Sequence, residues 1–197
     1  MIQVHKRKLT FEEYLSYEDS TDNRYELIDE ELVTLPPESG LNAYIARYLL
    51  VAFISSGLVP LKLISINACE IQVPVLKSGD AANRYPDLVI LQEEHWDLTQ
   101  NRLTVTIEMP PPRLVIEVVS PGRVGNDRDY DRKRAQYAAR GIPEYWIVDP
   151  QKQAVTLLWL ESGQYLEVGV FRDGTSIISP TFPQLCLTAE QALGGDV

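Results

Sequence analysis

The sequence is poor in the residues that build disulfide frameworks and zinc sites. Its 197 residues include two cysteines and two histidines. Cys69 and Cys186 each lie within an apolar stretch, so we expect two small buried hydrophobic residues rather than a disulfide or a metal-binding pair. His5 and His95 are far apart and have no ligand residues beside them, which argues against a zinc site.

Long hydrophobic runs are also missing. The apolar segment at residues 45–59 is interrupted by Arg47 and by the Ser-Ser-Gly sequence at 55–57. A membrane helix needs roughly 20 apolar residues, so we predict no membrane association. The basic residues at 5–8 are not followed by the apolar core that a secretory signal contains. The cytoplasm is therefore the expected location.

Basic residues are outnumbered in the whole chain but not in one segment. The sequence has 18 Lys and Arg against 28 Asp and Glu, a net charge of -10. This balance argues against sequence-independent binding of nucleic acid, which depends on a basic surface. Residues 123–140, however, contain six basic and three acidic residues and carry a net charge of +3. The sign of the charge in this segment matters more for the choice of partner than the net charge of the whole chain.

The composition is otherwise that of a globular protein with a sizeable core. Apolar residues make up 45% and charged residues 23% of the chain, both ordinary values. Because no repeat, low-complexity tract or linker divides the sequence, residues 1–197 are predicted to form a single domain. Short strand-like segments alternate with predicted helices at 41–56 and 126–140. This pattern predicts an α/β fold, with a mixed central sheet flanked by helices and with additional β-hairpins.

Several residues mark where helices begin and end. Thr10 and Glu13 have the spacing of a capping box, and Thr188 is expected to begin a short C-terminal helix. Gly57 follows the predicted helix 41–56, whose apolar residues have helical spacing, and Gly141 follows the basic predicted helix 126–140. Both glycines are expected to end these helices. These residues set the predicted helix boundaries.

Charged residues inside apolar strands are the most informative feature of the sequence. Segments 87–91 (DLVIL) and 114–119 (LVIEVV) are rich in β-branched residues, as are central strands buried on both faces. Asp87 opens the first segment and Glu117 lies within the second. A buried carboxylate needs a cation, a hydrogen-bond donor or a metal. Two carboxylates on adjacent central strands are hard oxygen ligands, which suit Mg²⁺ or Mn²⁺.

Each carboxylate also has a purely structural interpretation. Glu117 would form a buried salt bridge with an arginine or lysine, and Asp87 would cap a turn or strand after Pro86. Neither arrangement would carry chemistry. The presence of both carboxylates upstream of a basic helix favours the functional interpretation.

A lysine lies on the apolar face of the predicted helix 126–140. Residues advance about 100° each along a helix, so Tyr130, Lys133 and Tyr137 share one face. The structural alternative is that the lysine stem covers tyrosine while its ammonium reaches water. The functional alternative places the ammonium beside the two carboxylates. There it would polarise an attacking water or balance negative charge on a phosphate.

Four segments together form an ordered set, namely Arg24-Tyr-Glu-Leu-Ile-Asp, Tyr85-Pro-Asp-Leu-Val-Ile, Leu114-Val-Ile-Glu-Val-Val-Ser-Pro and Lys133-Arg-Ala-Gln-Tyr-Ala-Ala-Arg-Gly-Ile-Pro-Glu-Tyr-Trp-Ile-Val-Asp-Pro. This set resembles the Uma family, whose members are restriction-endonuclease-like proteins of the PD-(D/E)XK superfamily. The resemblance covers nearly the whole chain, and residues 114–150 are its most specific part.

The resemblance implies a restriction-endonuclease-like core and divalent-metal-dependent hydrolysis of phosphodiesters. Asp87 and Glu117 match the two acidic positions of the family, both expected metal ligands. The superfamily lysine usually follows the second acid by two residues, where this chain has Val119, and the resemblance places the substitute at Lys133. Glu26 matches a family glutamate and would complete the metal shell. Its structural alternative is an exposed strand residue or a partner for a nearby arginine.

The favoured hypothesis is an endonuclease that uses Mg²⁺ (or Mn²⁺) and acts on DNA, with Asp87, Glu117 and Lys133 as catalytic residues. Four arginines of the basic segment are candidates for contact with the nucleic-acid backbone: Arg123, Arg128, Arg132 and Arg134. The structural alternative for each of them is a solvated helix face.

Two other hypotheses differ in class. A catalytically inactive nuclease-fold module, which binds nucleic acid or regulates, is favoured by the acidic total charge, because that charge repels a polyanion outside the cleft. A structural or regulatory dimer would use Trp96 or the C-terminal strands as its interface. For the enzyme itself, a homodimer is favoured by analogy, since two-fold symmetry would serve to cut both strands of a duplex.

Overall fold

A computed structural model describes residues 8–21, 23–120 and 126–194. The helices in these ranges are α1 (Phe11–Leu15), α2 (Gly40–Ser55), α3 (Glu93–Leu98), α4 (Asn126–Arg140) and α5 (Ala189–Ala192). The strands are β1 (Tyr25–Ile28), β2 (Glu31–Thr34), β3 (Ile64–Ile66), β4 (Glu70–Gln72), β5 (Asn83–Arg84), β6 (Leu88–Ile90), β7 (Thr104–Val105), β8 (Leu114–Val118), β9 (Glu144–Asp149), β10 (Ala154–Glu161) and β11 (Gln164–Phe171). None of the helices within these ranges has the length and apolar character that crossing a bilayer requires.

A six-stranded mixed sheet forms the centre of the fold, in the order β11-β10-β9-β8-β6-β3. Strands β8 and β9 are parallel, and the other neighbours in this sheet are antiparallel. Strands β1 and β2 form a hairpin, and β5, β4 and β7 form a small second sheet. The predicted α/β class, with a mixed central sheet and additional hairpins, is confirmed.

The two central strands beside the candidate carboxylates are neighbours: Glu117 lies in β8, and Asp87 immediately precedes β6. Every residue of β6 and of β8 is buried, as expected of strands covered on both faces. Their antiparallel register pairs Leu88 with Ile116, so extending it by one residue places Asp87 opposite Glu117. Directly opposite residues have Cβ atoms about 4.5–5.5 Å apart and project from the same face. The topology therefore brings the two carboxylates together.

Helix α4 covers this part of the sheet because it connects two parallel strands. A parallel pair such as β8 and β9 requires a crossover that packs on one face of the sheet. Tyr137 of α4 is fully buried against Tyr145 of β9, with ring centroids 5.2 Å apart. The inner face of α4 is thereby held over the end of β8.

The predicted helix boundaries agree with the structure. Thr10 and Glu13 form a complete capping box, and Thr188 is the N-cap of α5. Gly57 and Gly141 have φ values of +69° and +82°, the left-handed conformation in which many helices end.

One prediction about the cysteines is wrong. Cys69 is buried, but Cys186 is exposed. Its neighbours Leu185 and Leu187 are buried, and side chains alternate between opposite faces along extended backbone. An apolar stretch therefore does not guarantee burial of each residue within it.

Candidate active site

Both carboxylate oxygens of Glu117 are engaged by side chains of helix α4. Lys133 Nζ donates to Glu117 Oε2 at 2.8 Å, and the hydroxyl of Tyr137 donates to Oε1 at 2.6 Å. Glu117 is 3% exposed, so these partners stand in for the water that burial has removed. The helix thus supplies both a positive charge and a fixed hydrogen bond to the acid.

The position of Lys133 distinguishes between the two alternatives for its side chain. The side chain is 16% exposed, and its ammonium contacts the buried carboxylate rather than reaching past Tyr130 into water. Tyr130 lies beside it, with the ammonium 6.0 Å from the centre of the ring. The shared face of Tyr130, Lys133 and Tyr137 follows from their spacing on the helix.

Asp87 is a buried acid held at the edge of the same site. Its Oδ2 accepts a hydrogen bond from the Val118 backbone N–H at 2.7 Å. Burial, and next the negative charge of Glu117, raise the pKa of Asp87 to about 8. The charge of Glu38 acts in the same direction, whereas the Val118 hydrogen bond and Lys133 act in the opposite one. Two buried carboxylates that repel each other are a donor set suited to a divalent cation.

Glu26 is held by a buried hydrogen-bond network. Arg84 Nη1 donates to both carboxylate oxygens of Glu26, at 3.1 and 3.2 Å. The same guanidinium donates to Gln136 Oε1 through Nε at 3.0 Å and Nη2 at 2.8 Å. Gln136 precedes Tyr137 on α4, so this network fixes the rotation of the helix that presents Lys133. An ion pair with arginine was one of the alternatives for Glu26.

The structure also reveals residues near the site that sequence reasoning missed. Asn42 of α2 donates through Nδ2 to Val118 O at 3.1 Å and to Ser120 Oγ at 3.0 Å. It thereby ties α2 to the end of β8, next to Glu117. Glu38, just before α2, contributes negative charge at Asp87. A polar residue in the apolar stripe of α2 was the available signal for Asn42, whereas Glu38 had none.

The four arginines proposed to contact nucleic acid are not equally well described. Arg123 and the side chain of Arg128 lie outside the described residues. Arg132 Nη1 donates to Gly79 O at 2.8 Å, and Arg134 Nη2 donates to Tyr165 O at 2.8 Å. Both contacts fasten α4 to neighbouring segments, and the proposed role in nucleic-acid binding stays a prediction.

Loss of the Tyr137 hydroxyl should weaken both stability and activity. We expect Tyr137→Phe to lower the free energy of unfolding by about 1–3 kcal/mol, because a buried Glu117 oxygen loses its donor. Urea unfolding of the purified variant would measure this change. Tyr165→Phe is the matched control, since that hydroxyl donates to the Ile142 carbonyl at 2.8 Å outside the site. An equal loss of activity in both variants would contradict a specific role for Tyr137.

The described residues lack a ready-made cluster of three or more acidic, histidine or cysteine side chains that could bind a metal. A cation at this site would therefore be held by the pair Asp87 and Glu117, with other ligands from solvent or substrate. Such a sparse shell is typical of Mg²⁺, which keeps several waters and is often bound by one or two carboxylates together with phosphate oxygens.

The chain is similar to a solved structure from Anabaena variabilis, described as a putative nuclease belonging to DUF820, with a TM-score of 0.67 and 18% sequence identity. The alignment covers 94% of this chain and 98% of the other, so the two share a fold. None of the curated proteins compared with the chain matches it.

A family model matches residues 11–190 of the chain, and it is the model of Uma2, described as "Putative restriction endonuclease". The match includes Asp87 with the following strand β6, β8 with Glu117, and the whole of α4. Because it spans far more than half of the sequence, the chain belongs to the Uma2 family.

Proposed function

We propose that this protein is a divalent-metal-dependent endonuclease that hydrolyses phosphodiester bonds in DNA. The observation that carries the proposal is the contact between Lys133 Nζ and Glu117 Oε2 at 2.8 Å, beside the buried Asp87 of the adjacent strand. An acid pair with a lysine within its reach is the set of groups that metal-assisted phosphate hydrolysis needs. Membership of a family of nucleases supports this assignment.

Asp87 and Glu117 would hold Mg²⁺ or Mn²⁺, which supplies charge that stabilises the phosphate and lowers the pKa of water. Lys133 would orient the attacking water and balance negative charge that develops on the phosphate. Tyr137 keeps Glu117 oriented by its hydrogen bond. To become a third metal ligand, Glu26 would have to give up its ion pair with Arg84. We therefore propose that Glu26 belongs to the surroundings of the metal and does not bind it directly.

The DNA would approach over the basic segment 123–140. This segment is net positive in a chain of net charge -10, so it offers the phosphate backbone the favourable surface that the remaining chain lacks. Arg123, Arg128, Arg132 and Arg134 are the proposed contacts. A cytoplasmic location and a homodimer that cuts both strands of a duplex stay predictions.

The second candidate is a binding module that keeps the fold without turnover. The net charge of -10 favours it, because most of the surface repels a polyanion. An intact set of Asp87, Glu117 and Lys133 favours the enzyme, since binding alone does not require it.

Cleavage of supercoiled and single-stranded DNA in Mg²⁺ or Mn²⁺ would separate the two candidates. We expect wild-type protein to nick DNA, and chelator or Glu117→Gln to abolish nicking. Glu144→Gln is the matched control, because Glu144 is equally buried and hydrogen-bonded to Trp146 and Ser179 away from the site. An inert wild type with every metal would favour the binding module, whereas cleavage by Glu117→Gln would refute the site.

A further inference from the structure

A cleft of about 490 Å³ lies between the α1–β1 segment and the small sheet. Four tyrosines line it together with Arg102 and Asp19: they are Tyr14, Tyr17, Tyr25 and Tyr85. Neither the carboxylates of the candidate active site nor Lys133 belongs to its lining. The cleft therefore requires its own explanation.

The aromatic walls of this tyrosine cleft are held in place by contacts within the protein. The rings of Tyr17 and Tyr25 meet edge to face, with centroids 6.2 Å apart. The Arg102 guanidinium lies 4.9 Å from the centre of the Tyr14 ring. The hydroxyl of Tyr14 lies 3.2 Å from that of Tyr85. The aromatic surfaces are thus preorganised, which reduces the entropy that a ligand loses on binding.

The charge of the tyrosine cleft selects the kind of group that enters it. Among the described residues, its lining includes the acids Glu18, Asp19 and Glu70 and one cation, Arg102. Arg102 is itself paired with Glu70 at 3.1 Å. A phosphate would be repelled by this surplus of negative charge. A neutral planar group with amino donors at its edge would stack on tyrosine and donate to the acids, and a nucleobase is such a group.

The tyrosine cleft adjoins the candidate active site through a short piece of backbone. Tyr85 and Asp87 are two residues apart, so their Cα atoms lie within about 7 Å. Arg24 stacks 5.7 Å from the centre of the Tyr85 ring and donates to Asn67 O. The N–H of Asn67 in turn donates to Asp87 O at 2.9 Å. A base in the cleft would therefore belong to a nucleotide close to the phosphate at Asp87.

We propose that the tyrosine cleft binds an unpaired nucleobase beside the phosphate that is cleaved. This inference rests on the proposed nuclease function and narrows its substrate to DNA with an unpaired base, either single-stranded or locally opened. A base stacked and paired in a duplex cannot enter such a cleft without being extruded. Bases with an exocyclic amino group should bind better than thymine, because the carboxylate of Glu18 in the lining is an acceptor.

A single-stranded 12-nucleotide DNA containing 2-aminopurine tests the inference, because the fluorescence of this base is quenched on stacking. In Ca²⁺, we expect wild-type protein to quench the single strand and not the matched duplex. Tyr17→Leu keeps apolar packing but removes the ring, and should weaken binding about tenfold. Tyr17→Phe should bind as wild type. Tyr44→Leu is the matched control, since Tyr44 is 44% exposed on α2 outside the cleft.

Equal binding by Tyr17→Leu and wild type, or equal quenching of single strand and duplex, would overturn the inference. Cleavage of the same DNA in Mg²⁺ separates this failure from failure of the nuclease. If wild type and Tyr17→Leu cleave the single strand equally, the base site is refuted and the nuclease stands. If neither cleaves but the binding differences hold, the base site stands and the nuclease is refuted.

Discussion

Lys133→Met is expected to reduce metal-dependent DNA cleavage by about 10²–10³-fold, the loss typical when one group that stabilises transition-state charge is removed. Methionine retains the apolar stem that passes Tyr130 but has no charge to orient water or to balance the phosphate. The rate of nicking of supercoiled DNA at saturating Mg²⁺ would measure the effect. Lys133→Arg should recover only part of the rate, because a planar guanidinium is not a point charge.

The structural role of Lys133 has to be separated from its chemical role. Without the lysine, the buried Glu117 keeps the hydrogen bond from Tyr137 but loses its cation, and breaking a buried pair commonly destabilises by about 3–5 kcal/mol. Rates should therefore be compared at a temperature where both proteins are folded by circular dichroism. Lys152→Met is the matched control, since Lys152 pairs with Asp149 at 3.3 Å on an exposed turn. A folded Lys133→Met protein with more than half the wild-type rate would refute the proposed role.

Asp87→Asn is expected to abolish cleavage while making the metal-free protein more stable. The pKa of Asp87 is raised to about 8 in the folded protein, against about 3.9 in an unfolded chain. Between these values the folded state binds the proton more tightly than the unfolded state. The contribution of Asp87 to stability therefore falls as pH rises from about 4 to about 8 and is constant above. Asparagine does not titrate, so its advantage should grow over the same range to a few kcal/mol.

Urea unfolding in chelator at pH 5 and pH 8 would test this sign. The difference in unfolding free energy between Asp87→Asn and wild type should be larger at pH 8. Asp149→Asn is the matched control, because Asp149 accepts backbone hydrogen bonds from Gln151 and Lys152 at 3.0 Å and should gain nothing. A variant at Asp87 that is less stable than wild type at pH 8 would show that the buried carboxylate is not under electrostatic strain.

The parts of the fold that were predictable from sequence depend on local patterns. The periodicity of α4 and the Gly141 after it gave the helix bounds and the inward face of Lys133. The apolar strands around Asp87 and Glu117 indicated central positions in the sheet. In each case the pattern of apolar residues is long enough to indicate which face of the helix or strand is buried.

The parts that were missed depend on contacts between distant residues. Strands β5 and β7 have two residues each, too few for any alternation to be visible. Because β5 was not recognised, Arg84 could not be identified as the partner of Glu26. Asn42 reaches Val118 across 76 positions of sequence, and such a contact exists only after the sheet has formed. The apolar residues at 61–66 predict one strand, but residues 61–63 form a 3₁₀ helix and only Ile64–Ile66 is strand.

The acid and the lysine of the site belong to different elements, β8 and α4, 16 residues apart. In a site where both lie on one strand, the pair survives as long as that strand stays in its sheet. Here the pair exists only while the helix is docked. Partial unfolding that releases α4 and spares the six-stranded sheet would separate Lys133 from Glu117 and end catalysis reversibly. The free energy that limits activity is thus the free energy of undocking α4 from the sheet. This free energy cannot exceed the free energy of unfolding the whole protein.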